Sequence, residues 1–246
     1  MNIILTIGNS ECNYYSAIGY FQKILLHIER HKMLIKNIGD PSTGKIGLVS
    51  TENFGIDKIE NNVKNNTKGY LADKNDLNSS RIGYSLSLIG QTSEDYKCGL
   101  MISYGSPKIS GRDTININFS HELFANNFED FTNKMNLIYN LFTELIMIAK
   151  PQKAIVKDYL LSKEKNINDM LVGYYTYLTG EISENIKIDN LNINCEQFEE
   201  GLLLKFKLEE RDVMINNVRK FYEINYKHLN LFNNFGEKKT SFNTQN

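Results

Sequence analysis

The stretch Ile82-Gly-Tyr-Ser-Leu-Ser-Leu-Ile89 alternates in character, with Ile82, Tyr84, Leu86 and Leu88 on one side and Gly83, Ser85, Ser87 and Ile89 on the other. A period of two sends successive side chains to opposite faces of a strand, so the stretch predicts a strand buried mainly on one face. Two more such segments follow at short spacing. Lys97 to Tyr104 is rich in apolar residues, and Thr114 to Phe119 sets Ile115, Ile117 and Phe119 against Asn116 and Asn118. Half-buried strands in close succession predict an antiparallel meander.

Outward from this centre the periods change. Asn2 to Ile7 is a short Ile/Leu-rich strand, and residues 14 to 34 recur at three and four through Ile18, Phe21, Leu25 and Ile28, a helix with one apolar face. Gly39 to Gly47 is a loop, Phe54 to Val63 a short helix on Ile56, Ile59 and Val63, and Lys64 to Ser80 a polar, Asn-rich exposed loop. Phe128 to Ala149 carries the broadest apolar face of the chain, Phe131, Met135, Ile138, Leu141, Phe142, Leu145 and Ile148, and Pro151 ends it. Ala154 to Tyr159 is a strand, and Asn168 to Leu178 fits either a helix or an extended segment. Asp189 to Cys195 and Gly201 to Leu208 pair as a hairpin. Asp212 caps a last helix, to about Lys227, carrying Val213, Val218, Phe221 and Ile224. No composition break and no repeat divides the chain. The order predicts an α+β fold, a mostly antiparallel central sheet with helices packed on it, in one domain over residues 1–233 with a polar tail at 234–246.

The 246 residues are 41% hydrophobic and 23% charged, with a net charge of −1, the balance of a soluble globular protein. Lys and Arg are interleaved with Asp and Glu, so no basic stripe points to nucleic acid. Cys12, Cys98 and Cys195 are too widely spaced for a metal pattern or a disulfide framework. No apolar run is long enough to cross a membrane, and the N-terminus lacks the basic start of a secretory signal, which sets a cytoplasmic expectation.

The chemistry-bearing motifs are incomplete. Gly39-Asp-Pro-Ser-Thr-Gly44-Lys45 imitates a phosphate-binding loop, but Ile46 stands where the Mg²⁺-holding hydroxyl belongs. His27 and His31 share a helix face at a metal-compatible spacing, with no third ligand evident in sequence. His121 and His228 stand alone, and no nucleophile elbow occurs. The paired carboxylates Glu94-Asp95, Glu129-Asp130 and Glu199-Glu200 fit solvated turns and helix ends. The chain therefore reads as a non-enzyme with no cofactor and no metal. Tyr174, Tyr175 and Tyr177 favour a core role over an interface one.

Two late segments carry a family resemblance. VGYYTYLT, Val172 to Thr179, is followed by the Gly-led strand GLLLKFKLEE from Gly201 and then a final helix. With the central strands and the helix–Pro151–KAIVKDY segment, this order resembles the Immunity protein 52 family, antitoxins of bacterial polymorphic-toxin and type VI secretion systems, over about residues 10 to 230. The chain departs from the family pattern in having no tryptophan, and in Ile89-Gly90-Gln91 where the family has a Trp-Asn-Gly-like element.

The resemblance implies a cytoplasmic antitoxin that binds one cognate protein toxin, such as a nuclease with a restriction-endonuclease-like fold, without touching nucleic acid or membrane. A basic nuclease cleft is best met by an acidic, aromatic-bearing surface. Glu94, Asp95, Glu181 and Glu184, all in predicted loops, are the expected interface residues. A structural or scaffolding protein of a phage or secretion locus is the alternative reading. A nucleotide-dependent enzyme using residues 39–45 comes after it.

Overall fold

The computed structural model describes residues 1–8, 10–41, 47–106, 113–158, 161–163, 172–188, 191–209 and 211–229. The fold is α+β, and every strand pairing whose register is described is antiparallel. The chain forms two compact units, Met1–Val156 and Lys157–Asn246, where the sequence reading took 1–233 together.

In the first unit the strands run in the order β3-β2-β4-β5-β6-β1-β7. They are β1 (Asn2–Gly8), β2 (Asn37–Gly39), β3 (Val49–Ser50), β4 (Tyr84–Gln91), β5 (Lys97–Tyr104), β6 (Asp113–Phe119) and β7 (Lys153–Lys157). The meander is β4-β5-β6, in register from Tyr84 opposite Tyr104 to Gln91 opposite Lys97. Tyr84, Leu86 and Leu88 face inward with Leu100, Ile102, Ile115, Ile117, Ile3 and Leu5. Ile82, expected in that row, is 41% exposed. Gly83 intervenes at φ +81°, a left-handed turn that breaks the alternation before the strand begins.

Helices supply the other layer. α1 (Tyr14–Ile28) starts at Asn13, whose side chain accepts from Ser16 N at 2.8 Å, and buries Ala17, Ile18, Phe21, Ile24 and Ile28. It stops short of residue 34 because the chain tightens into a 3₁₀ turn at Glu29–His31. α3 (Phe128–Ala149) ends on Lys150 at φ 46° just before Pro151, and buries Met135, Ile138, Leu141, Phe142, Leu145 and Ile146.

α2 (Ile56–Thr67) runs a full turn beyond the expected Val63, through the Asn-rich segment read as loop. The reason is Asn62, which is fully buried. Its Nδ2 donates to Ser87 O at 2.8 Å and its Oδ1 accepts from Ser87 N at 3.0 Å. Asn66 donates to Ser85 O at 3.3 Å. β2 meets β4 only over Ile89 to Gln91, and beyond it these two side chains take both backbone groups of Ser87 and the carbonyl of Ser85.

The second unit holds β8 (Tyr175–Thr179), β9 (Ile193–Phe198) and β10 (Gly201–Phe206), in the order β8-β10-β9, with α4 (Glu181–Asn185) and α5 (Arg211–Leu229). The ambiguous segment before Leu178 is thus extended from Tyr175, and the expected hairpin is present with a turn at Glu199 and Glu200. Asp212 sits inside the first turn of α5 rather than capping it. Val213 and Ile224, expected inward, are 44% and 41% exposed, and the buried stripe is Met214, Val218, Phe221, Tyr222 and Asn225. Asn225 repeats the device of Asn62. Its Oδ1 accepts from Lys187 N at 2.7 Å and its Nδ2 donates to Lys187 O at 2.8 Å. Tyr174, Tyr175 and Tyr177 are all core, between 0% and 6% exposed.

Candidate functional site

The four expected interface carboxylates fall in two places. Glu94 and Asp95 form the tip of the β4–β5 turn in the first unit, and Glu181 and Glu184 belong to the second. The latter pair is helical, not loop. Gly180, at φ 69°, turns the chain, and Ser183 bonds back to Gly180 O through both its amide (3.0 Å) and its hydroxyl (2.7 Å). Five residues are too few for a helical period to show in sequence. Glu184 is exposed, and the side chain of Glu181 lies outside the described residues.

The β4–β5 turn is built around Thr92. Its Oγ1 accepts from Glu94 N (3.2 Å) and Tyr96 N (3.1 Å), and Asp95 takes a left-handed φ of 66°. Ser93 ties the turn to Met33 O through its hydroxyl at 3.0 Å. Glu94 and Asp95 are consequently exposed on a braced tip.

That tip is linked to the start of α3 by a lysine the sequence did not single out. Lys134 is 5% exposed, and its Nζ reaches Asp130 Oδ2 at 2.8 Å and Glu94 Oε2 at 3.0 Å. Burial alone lowers the lysine pKa, but the two carboxylate hydrogen bonds and charges outweigh it, so the net shift is upward. Asp130 moves down, chiefly through its hydrogen bond from Lys134 and, against some burial, that from Asn126. Asn127 caps α3 by accepting from Asp130 N at 2.9 Å, and Glu129 occupies the same first turn, where a carboxylate is favoured by the helix dipole. Phe128, 52% exposed, stacks on Phe131 with centroids 6.3 Å apart, and Phe131 meets Phe124 edge-on at 6.3 Å. Glu94, Asp95, Glu129 and Asp130 with Phe128 make an acidic, aromatic end of the first unit.

The histidine pair acquires a neighbour. Glu144 of α3 places Oε1 3.3 Å from His31 Nε2 and Oε2 3.6 Å from His27 Nδ1, while Arg30 Nη1 lies 3.5 Å from the same His27 nitrogen. Among the described residues no group of three His, Cys, Asp or Glu converges to hold a metal ion. His121 is exposed on a 3₁₀ turn, and the side chain of His228 lies outside the described residues.

All three thiols are free, and none is activated. Burial pushes Cys98 up to about 12, burial and the Asp113 charge push Cys12 up to about 11, and burial with Glu196 raises Cys195. In the phosphate-loop imitation, Gly39 ends β2 and Asp40 accepts from Asn62, while 42–46 lie outside the described residues. Among the described residues no helix is long and apolar enough to cross a membrane.

No family model and no curated protein matches the chain. Among solved structures, a Pseudomonas aeruginosa T6SS protein is similar at 11% identity and a TM-score of 0.45, covering 89% of this chain and 72% of that one. A likeness of that degree carries no argument about function.

Proposed function

We propose that this chain is an antitoxin, an immunity protein of the polymorphic-toxin or type VI secretion kind, that neutralises one cognate toxin by direct stoichiometric binding in the cytoplasm. The observation that carries the reading is the acidic, aromatic end of the first unit. An exposed Phe128 among Glu129, Asp95 and the Lys134-braced pair of Glu94 and Asp130 combines an apolar anchor with negative charge. A basic nuclease cleft, as in a restriction-endonuclease-like toxin, is complementary to it. The family-like order of VGYYTYLT, GLLLKFKLEE and a last helix supports the same reading.

On this proposal the protein is not an enzyme and works with no cofactor. The raised thiols and the incomplete phosphate loop accord with that. Inhibition is by occupancy, through an interface on the order of 1,600 Å² in total. The test is co-expression with the toxin gene that neighbours this one, scored by growth and by co-purification of a complex. Growth rescue with a one-to-one complex is the expected result. A folded protein that neither rescues growth nor co-purifies would remove the reading.

A further inference from the structure

We propose that the outer edge of β9 is a docking site for an extended, basic segment of a partner protein, which adds to the second unit's sheet as a further strand. The identity of that partner as a toxin rests on the antitoxin reading, whereas the edge chemistry does not. The phase of the ladder decides which groups are free. Phe198 and Gly201 flank a two-residue turn and are partners, so Phe198, Glu196 and Asn194 direct their N–H and C=O toward β10. Lys207 N donating to Asn192 O at 3.1 Å continues that phase. Ile193, Cys195 and Gln197 therefore aim theirs outward from the last strand in the order, and these groups have no partner among the described residues.

Proteins ordinarily guard such an edge with Pro, Lys, a bulge or a cover. The first unit does so, by setting Asn62 and Asn66 on β4. β9 has no Pro, no Lys and no bulge, no cover among the described residues, and a single charge, that of Glu196. Its sequence is Ile-Asn-Cys-Glu-Gln-Phe, and its register with β10 runs without a shift from Ile193 to Phe198. Outward amides and carbonyls at three alternate residues in succession match another extended backbone. Charge selects the occupant. From Ile193 to Gly201 the carboxylates Glu196, Glu199 and Glu200 are exposed and no basic residue occurs. The nearest lysines are engaged elsewhere: Lys205 lies over the Tyr175 ring and Lys207 pairs with Glu209.

The experiment is residue-resolved amide exchange on the full chain, alone and with an acetylated hexapeptide amide of alternating Lys and Val. The controls are the same peptide N-methylated at alternate residues and a Glu/Val analogue. At about ten times its Kd the basic peptide should slow exchange at Ile193, Cys195 and Gln197 roughly tenfold, and both controls should fail. Cys195→Pro removes an outward N–H and no ladder bond to β10, so it should abolish the effect with little change in the urea midpoint. Where that midpoint shifts, the N-methylated peptide alone decides. No slowing at millimolar basic peptide, or equal slowing by the N-methylated one, overturns the proposal. Protection that grows with protein concentration in the absence of peptide assigns the edge to a second copy and also overturns it. A toxin complex that leaves these amides unprotected overturns the toxin as the partner at this edge but not the antitoxin reading. Peptide protection without growth rescue does the reverse.

Discussion

Asn62 meets Ser87 as a neighbouring strand would, donating to its carbonyl at 2.8 Å and accepting from its amide at 3.0 Å. Asn225 holds Lys187 in the same way in the other unit. Each unit thus uses one fully buried helical asparagine to satisfy both backbone groups of a non-helical residue.

Asn62→Ala is expected to lower stability by about 2–4 kcal/mol, because it strands a donor and an acceptor at once. Asn62→Asp should cost at least as much. Its carboxylate has no donor for Ser87 O and faces Asp40, which now accepts from Asn62 at 2.7 Å. Urea titration of the two variants checks this.

Tyr174 is 6% exposed, and its hydroxyl donates to Asp158 Oδ2 at 3.0 Å. Tyr174→Ala should cost roughly 3–5 kcal/mol as a large-to-small core change. Tyr174→Phe should cost about 1 kcal/mol, the net worth of the hydrogen bond. Equal midpoints for the two variants would contradict a packing role for the ring.

Lys134 sets a pH signature. Asp130 is depressed by its partner, so its contribution is present above the ordinary carboxylate pKa and is lost as pH falls through the lowered value. Lys134 is raised, so its contribution is present below the ordinary lysine pKa and disappears as pH climbs through the higher value. In Lys134→Met the acid limb of the stability profile should flatten where Asp130 titrates. Unchanged limbs, measured as denaturation midpoints from pH 2 to 11, would show that the cluster is inert.

Charge reversal separates binding from folding. Glu94→Lys disrupts the Lys134 brace as well as the surface, so Asp95→Lys and Glu129→Lys are the cleaner probes. Each is expected to slow toxin association several-fold at low salt and less at high salt, with a small fall in melting temperature from the left-handed φ at 95 and the helix dipole at 129.

Lys45→Ala should leave protection of the host unchanged, and titration calorimetry with ATP or GTP should give no heat of binding, since Ile46 offers no oxygen to a phosphate-bound Mg²⁺. Micromolar binding that vanishes in the variant would favour a nucleotide-dependent enzyme instead.

Long periodic elements were legible from the spacing of apolar residues alone. The bounds of α3 and β5 match the sequence reading to the residue, because a seven-residue apolar face and an unbroken strand run leave little freedom. What escaped were features set by tertiary partners. Asparagines in Asn61-Asn62-Val63-Lys64-Asn65-Asn66 look alike in sequence, yet Asn62 is buried and Asn61 exposed. Lys134 lies within the apolar face of α3, where only the distant Glu94 and the local Asp130 make a buried ammonium tolerable. Of the four expected interface residues, all read as loop, Glu94 and Asp95 lie on the β4–β5 turn, whereas Glu181 and Glu184 lie in α4, which gave no periodic signal.

The last strand pair also constrains how this sequence can drift. A Cβ added at Gly201 would stand 2.3 Å from Leu178 O and 2.8 Å from the Tyr177 ring. The bare backbone at the head of β10 and the aromatic ring on β8 therefore occupy one shared volume, although 24 positions separate them. Selection acts hardest on the glycine: a side chain gained there is tolerated only if the strands part, because the Leu178 carbonyl stands in the way even when the ring retreats. The constraint runs one way: descendants of this chain that keep the β8–β10 pairing should keep the glycine, whatever ring or smaller side chain stands at 177.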